Sequence, residues 1–225
     1  MHVKICGITS LEDALAAVDA GADMLGYNFY PLSKRYISPN ACAEIQNGLV
    51  RWNVQVTAVG VFVNAPCEEI LQTAVRQHIG YAQLSGDEMP EFTVGLGVPW
   101  FKAIRPKTQE EAVRDAYLFT QTSCRSDWQS DQKQLENHSG FLLVDAYRPG
   151  QYGGTGEVGD WGLAASLSGK FSILLAGGLT SENVEAAIEQ VHPWGVDVAS
   201  GVESAPGVKD YEKIRLFVRR AKNMF

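Results

Sequence analysis

Ile173-Leu174-Leu175-Ala176-Gly177-Gly178-Leu179-Thr180-Ser181-Glu182-Asn183, followed after a helical run by Val196-Asp197-Val198-Ala199-Ser200-Gly201-Val202-Glu203, is the stretch from which the rest of the chain can be read. Twice in succession a short apolar run ends in glycine and a polar residue, and a helix-like pattern follows. Glycine at a strand end lets the backbone turn sharply and approach a ligand closely. A helix start offers unpaired N–H groups and a partial positive charge. Two such turns side by side make a cup for one phosphate. In a (β/α)8 barrel the phosphate site commonly follows strands 7 and 8. One such turn alone reads equally well as an ordinary βα turn with a capping glycine; the pair, at the end of a chain of this length, favours phosphate.

Working outward, apolar runs at residues 3–6, 24–29, 54–63, 81–84, 100–104, 141–145, 171–176 and 196–199 read as strands. Helical patterns separate most of them. Ser10-Leu11-Glu12-Asp13 and Thr108-Gln109-Glu110-Glu111 resemble capping boxes, Ser38-Pro39 is a helix start, and Pro66 opens a helix running to about His78. Helices are also expected at residues 160–167, 182–190 and 209–222. Alternating strands and helices argue for parallel strands with right-handed crossovers, and eight such units fit a closed barrel better than an open doubly wound sheet. Residues 1–225 are therefore expected to form one (β/α)8 TIM barrel domain. Residues 121–139 are polar and weakly periodic; they read as surface elaboration on the face opposite the site, with room for a short helix at residues 128–135.

The chain has 225 residues, 45% hydrophobic and 20% charged, enough for a large core. A formal net charge of −7 argues against a nucleic-acid partner. No apolar run is long enough to span a membrane, and the N-terminus leads straight into a strand, so neither a membrane span nor a signal peptide is expected. Cys6, Cys42, Cys67 and Cys124 are widely separated, which disfavours zinc and disulfides and points to the cytoplasm. The four histidines show no metal spacing, so no metal is assigned.

Catalytic groups of such a barrel sit at the C-terminal ends of its strands. Cys6 ends strand 1 and Asp145 ends strand 6. Each alone has a bland reading, a small buried hydrophobe or a turn cap. Facing each other over a phosphate cup, they become a candidate base and acid. Gly177, Gly178, Ser200 and Gly201 are the candidate phosphate contacts. Gly154, in a glycine-rich loop after Asp145, is placed to pack on a ligand. Arg35, after strand 2, and Arg105, ending strand 5, could each pair with a carboxylate or simply be solvated. Lys4 and Asp197 are expected to form an ion pair inside the barrel. Alternation turns both inward on strands that adjoin only when the barrel closes, and either charge alone would be costly there. The ammonium would also bias Cys6 toward thiolate if it lay close enough.

Lys4-Ile5-Cys6-Gly7-Ile8-Thr9 resembles the opening motif of phosphoribosylanthranilate isomerases. The resemblance continues through PLSKRYISP at 31–39, GVFVN at 60–64, QLSGDE at 83–88, KAIR at 102–105, GGTG at 153–156, LAGGL at 175–179 and GVDVASGVE at 195–203. PGVKD at 206–210 fits too. The ordered set spans nearly the whole chain. The resemblance implies a barrel of tryptophan biosynthesis that converts N-(5-phosphoribosyl)anthranilate to its 1-deoxyribulose 5-phosphate isomer by an Amadori rearrangement, without cofactor or metal.

By that resemblance Cys6 is the general base, Asp145 the general acid, and Arg35 lies near the anthranilate moiety. Ser85 stands where the family usually has histidine, Lys34 where proline is common, and the segment after GGTG lacks the usual phenylalanine. The alternatives are a histidine-pathway-type aldose–ketose isomerase, against which Cys6 in place of an aspartate argues, and a non-catalytic sugar-phosphate-binding barrel. The expected partner is a small phosphorylated substrate, and the expected assembly a monomer or homodimer.

Overall fold

The computed structural model describes residues 1–93, 96–120, 141–146 and 159–223. The expectations for residues 121–139, for Cys124 and for the loop holding Gly154 lie outside the described residues. The elements in chain order are β1 (His2–Cys6), α1 (Leu11–Asp19), β2 (Met24–Asn28), α2 (Pro39–Arg51), β3 (Thr57–Phe62), α3 (Cys67–Arg76), β4 (Tyr81–Leu84), β5 (Trp100–Ile104), α4 (Gln109–Thr120), β6 (Phe141–Val144), α5 (Trp161–Ser168), β7 (Ser172–Leu175), α6 (Val184–Val191), β8 (Gly195–Val198), β9 (Glu203–Ala205), β10 (Val208–Lys209) and α7 (Tyr211–Lys222).

Strands β1 to β8 form one closed parallel barrel in sequence order. Closure is carried by β1 against β8, with Val3 opposite Val196 and Lys4 opposite Asp197. That pairing rules out the open sheet. Parallel strands buried on both faces must be apolar almost throughout, which is why β5 (WFKAI) and β7 (SILL) show little alternation. Val3, Ile5, Val196 and Val198 pack outward against the helices. Met24, Val59, Phe101, Ala103, Leu143, Leu174 and Ala176 fill the barrel. Its lower end is plugged by aromatic contacts: Phe101 and Phe141 meet edge to face at 4.7 Å, and Phe141 meets Trp194 at 4.8 Å. Polar chemistry is therefore displaced to the opposite end.

The helices begin where side chains satisfy their first N–H groups. Asp13 N donates to Ser10 Oγ at 3.1 Å, Ala41 N to Ser38 Oγ at 3.2 Å, and Glu111 N to Thr108 Oγ1 at 3.2 Å. Asp160 and Asp210 cap α5 and α7 in the same way. None of the helices among the described residues is long and apolar enough to cross a membrane.

Three local expectations change. Strand β3 starts at Thr57, not at residue 54, because Val54 N turns back to Leu49 O at 3.0 Å after Asn53 takes a left-handed conformation with φ 55°. The apolar run outlasts the ladder. Pro66 precedes α3 without a side-chain cap, and the helix ends at Arg76 before left-handed His78. No long helix follows β8 directly. A single 3-10 turn, Ser200–Val202, leads into the β9–β10 hairpin, and α7 starts only at Tyr211.

Candidate active site

Period-two alternation places Lys4 and Cys6 on the inner face of β1. Lys4 is 0% exposed and its Nζ donates to Asp197 Oδ1 at 2.7 Å, so the ion pair expected inside the barrel is present. Burial opposes the Lys4 charge, but Asp197 and Cys6 outweigh it and hold the ammonium above its ordinary range. Gly26, opposite Cys6 on β2, leaves the space in which they meet. A Cβ at Gly26 would lie 2.7 Å from Cys6 Sγ and 3.0 Å from Lys4 Nζ.

A second ionic cluster overlies the first. Arg35 donates from Nε and Nη2 to the two carboxylate oxygens of Glu203, each at 2.8 Å. The edge of its guanidinium suited to a bidentate carboxylate is thus taken by the protein itself. Its aliphatic stem lies over Gly7, whose φ of +78° turns the chain beyond Cys6; a Cβ at Gly7 would sit 2.5 Å from Arg35 Cδ. Lys209 Nζ donates to Cys6 O at 2.6 Å, Ala199 O at 3.2 Å and Glu203 Oε1 at 2.9 Å. Burial opposes the Glu203 charge, yet the Arg35 bonds and the Lys209 ammonium hold its carboxyl below the ordinary range. The hairpin after β8 therefore ties together the ends of β1, β2 and β8.

Asp145 follows β6 at the same rim. Burial pushes its carboxyl up to about 6, against a bond from Ala146 N at 2.8 Å; Asp197 raises it further, while Arg105 and Lys4 oppose the rise. A carboxyl in that range still carries a proton in part near neutral pH, which suits a general acid. Arg105 Nη2 reaches Gly86 O at 3.5 Å. The barrel mouth thus holds a thiol backed by an ammonium on one side and a proton-retaining carboxyl on another.

The turns after β7 and β8 are packed backbone to backbone. Gly177 and Gly178 both have positive φ, +88° and +61°. A Cβ at Gly177 would lie 2.7 Å from Ala146 N, and one at Gly201 would collide with the Leu179 carbonyl oxygen. Asn183 braces the first turn, donating from Nδ2 to Gly178 O at 3.0 Å and accepting from Thr180 N at 2.8 Å. Gly177, Gly178, Ser200 and Gly201 thereby lie in two adjoining turns at the ends of β7 and β8.

The sequence model of N-(5'-phosphoribosyl)anthranilate (PRA) isomerase matches residues 3–220. The chain belongs to the N-(5'-phosphoribosyl)anthranilate isomerase family. An isomerase of that name from Pelobacter propionicus is 46% identical over 222 residues, covering 99% of this chain and 96% of that protein. The fold agrees at the same level. A crystal structure of monomers of the dimeric phosphoribosylanthranilate isomerase of Thermotoga maritima superposes with a TM-score of 0.80, at 35% identity and 99% coverage of both chains. Another, of a phosphoribosylanthranilate isomerase in complex with reduced 1-(o-carboxyphenylamino)-1-deoxyribulose 5-phosphate, gives a TM-score of 0.78, at 36% identity and 99% coverage of both.

Ser85 is the position at which the resemblance leads one to expect histidine. The serine is 2% exposed and accepts from Gln83 Nε2 at 3.0 Å, so a short hydroxyl pairs with Gln83 where a histidine was expected. Gln83 Oε1 is buried without a hydrogen-bond partner. Three residues packed around Cys6 and Arg35 were given no role in the sequence reading: Gly26, Glu203 and Lys209. A glycine inside a strand pattern, as in MLGYN, was the available signal for the first. The other two stand inside the quoted motifs GVDVASGVE and PGVKD, but the contacts that give them a role depend on the long-range register of a hairpin. Among the described residues no group of three or more His, Cys, Asp or Glu side chains is placed to hold a metal ion.

Proposed function

We propose that this barrel converts N-(5'-phosphoribosyl)anthranilate to 1-(2-carboxyphenylamino)-1-deoxyribulose 5-phosphate, with Asp145 as general acid and Cys6 as general base. The isomerase activity follows from the family; the residue roles rest on the geometry of the mouth. The observation that carries them is the pairing of a carboxyl pushed up to about 6 at the end of β6 with a thiol that borders, with the buried Lys4 ammonium, the space over Gly26 at the end of β1. Asp145 gives its proton to the ribose ring oxygen, and the ring opens to an iminium. The iminium acidifies the neighbouring C2′–H, and Cys6 removes that proton. The resulting enolamine takes a proton at C1′ and loses one from oxygen to become the ketone.

The phosphate is assigned to the corner made by Gly177, Gly178, Ser200 and Gly201. The positive φ of Gly177 and Gly178 and the close approach of Gly201 to the Leu179 carbonyl support this reading, since such turns at strand ends can aim backbone N–H groups at an anion. Arg35 serves the anthranilate end less as a free bidentate clamp than as a cation already oriented by Glu203. The residues that bear on Cys6 chemistry favour an isomerase over a phosphate-binding barrel without turnover. Cys6, Cys42 and Cys67 are free thiols, which supports a reducing compartment, the cytoplasm. A dimeric relative supports a homodimer over a monomer, and sedimentation of the purified protein decides between them. The decisive assay is turnover of the fluorescent anthranilate riboside by purified protein. Steady loss of substrate fluorescence is expected; binding of the substrate with no turnover would leave only the sugar-phosphate-binding reading.

A further inference from the structure

Gln83 is the inward-facing polar residue of β4. Ala82 and Leu84 pack into the outer core while Tyr81 meets the inner one, so alternation turns Gln83 into the barrel. It is 6% exposed; its Nε2 donates to Ser85 Oγ at 3.0 Å, and its Oε1 has no hydrogen-bond partner. A buried acceptor left without a partner is unfavourable and calls for a reason. Among the described residues, the other inward strand position with such an atom is Ser172, at the lower end of the barrel opposite Phe141 of the aromatic plug. Turning the Gln83 amide over does not satisfy it. Oε1 would then accept from the Ser85 hydroxyl, and Nε2 would be the end left over.

The strand ladders show what that end faces. A barrel of this kind stacks its inward side chains in layers drawn from alternate strands, with a stagger of about one residue per strand. Asp197 pairs with Lys4 and Lys4 with Met24, so the stagger puts Gly26 in the Asp197 layer; the same step from Gly26 through Val59 and Tyr81 reaches Gln83. Gln83 and Asp197 therefore lie on opposite strands of one layer, and Gly26 adds no side chain between them. The layer above, from the odd-numbered strands, holds Cys6 with Ala103 and Ala176. Two alanines leave its centre open, so the lower layer is the floor beneath whatever Cys6 touches. On one side of that floor Asp197 is matched by Lys4. On the other, the Gln83 amide has one end unmatched.

We propose that Gln83 is a substrate-binding residue of this isomerase: the unmatched end of its amide takes the 2′ hydroxyl of the phosphoribosyl group, and Ser85 is the positioning residue that holds the amide for it. The proposal rests on the isomerase reading, in which C2′ is held against Cys6 and its hydroxyl is carried into this part of the mouth. A hydroxyl both donates and accepts, so it satisfies either setting of the amide; a carboxylate or phosphate, acceptors only, does not. The phosphate is assigned to the turns after β7 and β8, away from β4. The amide gains and loses no proton. It fixes the C2′–O bond while Cys6 takes the C2′ proton, and so holds in place the oxygen that becomes the ketone.

The test compares the parent with Gln83→Met, which keeps the volume and removes the amide. The probes are reduced 1-(o-carboxyphenylamino)-1-deoxyribulose 5-phosphate, a stable open-chain analogue whose C2′ carries a hydroxyl, its 2′-deoxy counterpart, and inorganic phosphate. In Gln83→Met the Kd of the hydroxyl-bearing analogue should rise about tenfold, because the hydroxyl is then buried unpaired. Binding of the deoxy counterpart, inhibition by phosphate and the melting temperature should stay parental, because the orphaned atom leaves with the amide. Parental affinity for the hydroxyl-bearing analogue, as a fixed water on the amide would give, overturns the proposal. Equal weakening of both analogues, or of phosphate, marks a structural role and overturns it too. Should Gln83→Met not fold, Ser85→Ala decides: loss of the anchor should weaken the hydroxyl-bearing analogue about threefold or more and leave the deoxy counterpart unchanged, and parental binding of both overturns the proposal. Failure of the isomerase reading shows separately, as a parent protein that binds neither analogue and turns over no substrate, and it overturns this proposal with it.

Discussion

Lys4 Nζ and Asp197 Oδ1 lie 2.7 Å apart, on strands paired in register although the residues are 193 positions apart in the chain. The pair exists only because the barrel closes, and it closes around a lysine with no solvent exposure. Removing one partner strands the other charge, a cost of roughly 3–5 kcal/mol. Lys4→Met should lose about that much stability in urea unfolding, while Lys4→Met with Asp197→Leu should lose much less. Equal losses in the single and double variants would show that packing, not charge, dominates there.

Cys6 and Asp145 are the groups assigned to move protons. Cys6→Ala and Asp145→Asn should each lower kcat by about a hundredfold or more, the usual scale for a positioned acid or base. Near-parental kcat in either variant removes that residue from the mechanism.

The raised carboxyl of Asp145 makes two pH predictions with one sign. Activity that requires its protonated form should fall as pH rises through about 6, seen as an alkaline limb in kcat/KM. For stability, the folded value near 6 lies above the ordinary 3.8, so the native state binds more protons in that window and stability falls as pH rises from about 4 to 6. Above the window Asp145→Asn should be more stable than the parent by roughly 2–3 kcal/mol, from about 1.4 kcal/mol per unit. Below pH 4 the two should converge. Parallel stability–pH curves for parent and variant would contradict the shift.

Gly201 is pressed against the Leu179 carbonyl, with no room for a side chain. Gly201→Ala must separate the two turns, at a cost of about 1–3 kcal/mol for overpacking. If the turns form one phosphate corner, KM for the phosphorylated substrate should rise by about tenfold, and inhibition by inorganic phosphate should weaken in step. A destabilised variant with parental phosphate inhibition would place the anion elsewhere.

The local chemistry of the chain was enough to determine the eightfold alternation, the caps at Ser10, Ser38 and Thr108, and the strand-end placing of Cys6 and Asp145. Each of these is set by residues within a few positions of one another: apolar periodicity, hydroxyls before helices, glycines after strands. The Lys4–Asp197 pair was legible for a related reason. Alternation turns each residue inward, and burial leaves an isolated charge no cheaper option. Where the apolar run at residues 54–56 outlasts its strand, periodicity could not mark the end, because the competing bond from Val54 to Leu49 is a matter of backbone geometry.

The tertiary structure decided everything that depends on distant segments meeting. It placed the β9–β10 hairpin where a helix start was expected, brought Glu203 and Lys209 against Arg35 and the Cys6 carbonyl, and committed one edge of Arg35 to the protein. It showed why residue 26 must be glycine, since sulfur and ammonium share the space a Cβ would fill. Sequence patterns report which way a side chain points and how its backbone is capped. They do not report which side chains then compete for the same few ångströms, and at this barrel mouth that competition decides which groups are left to meet a substrate.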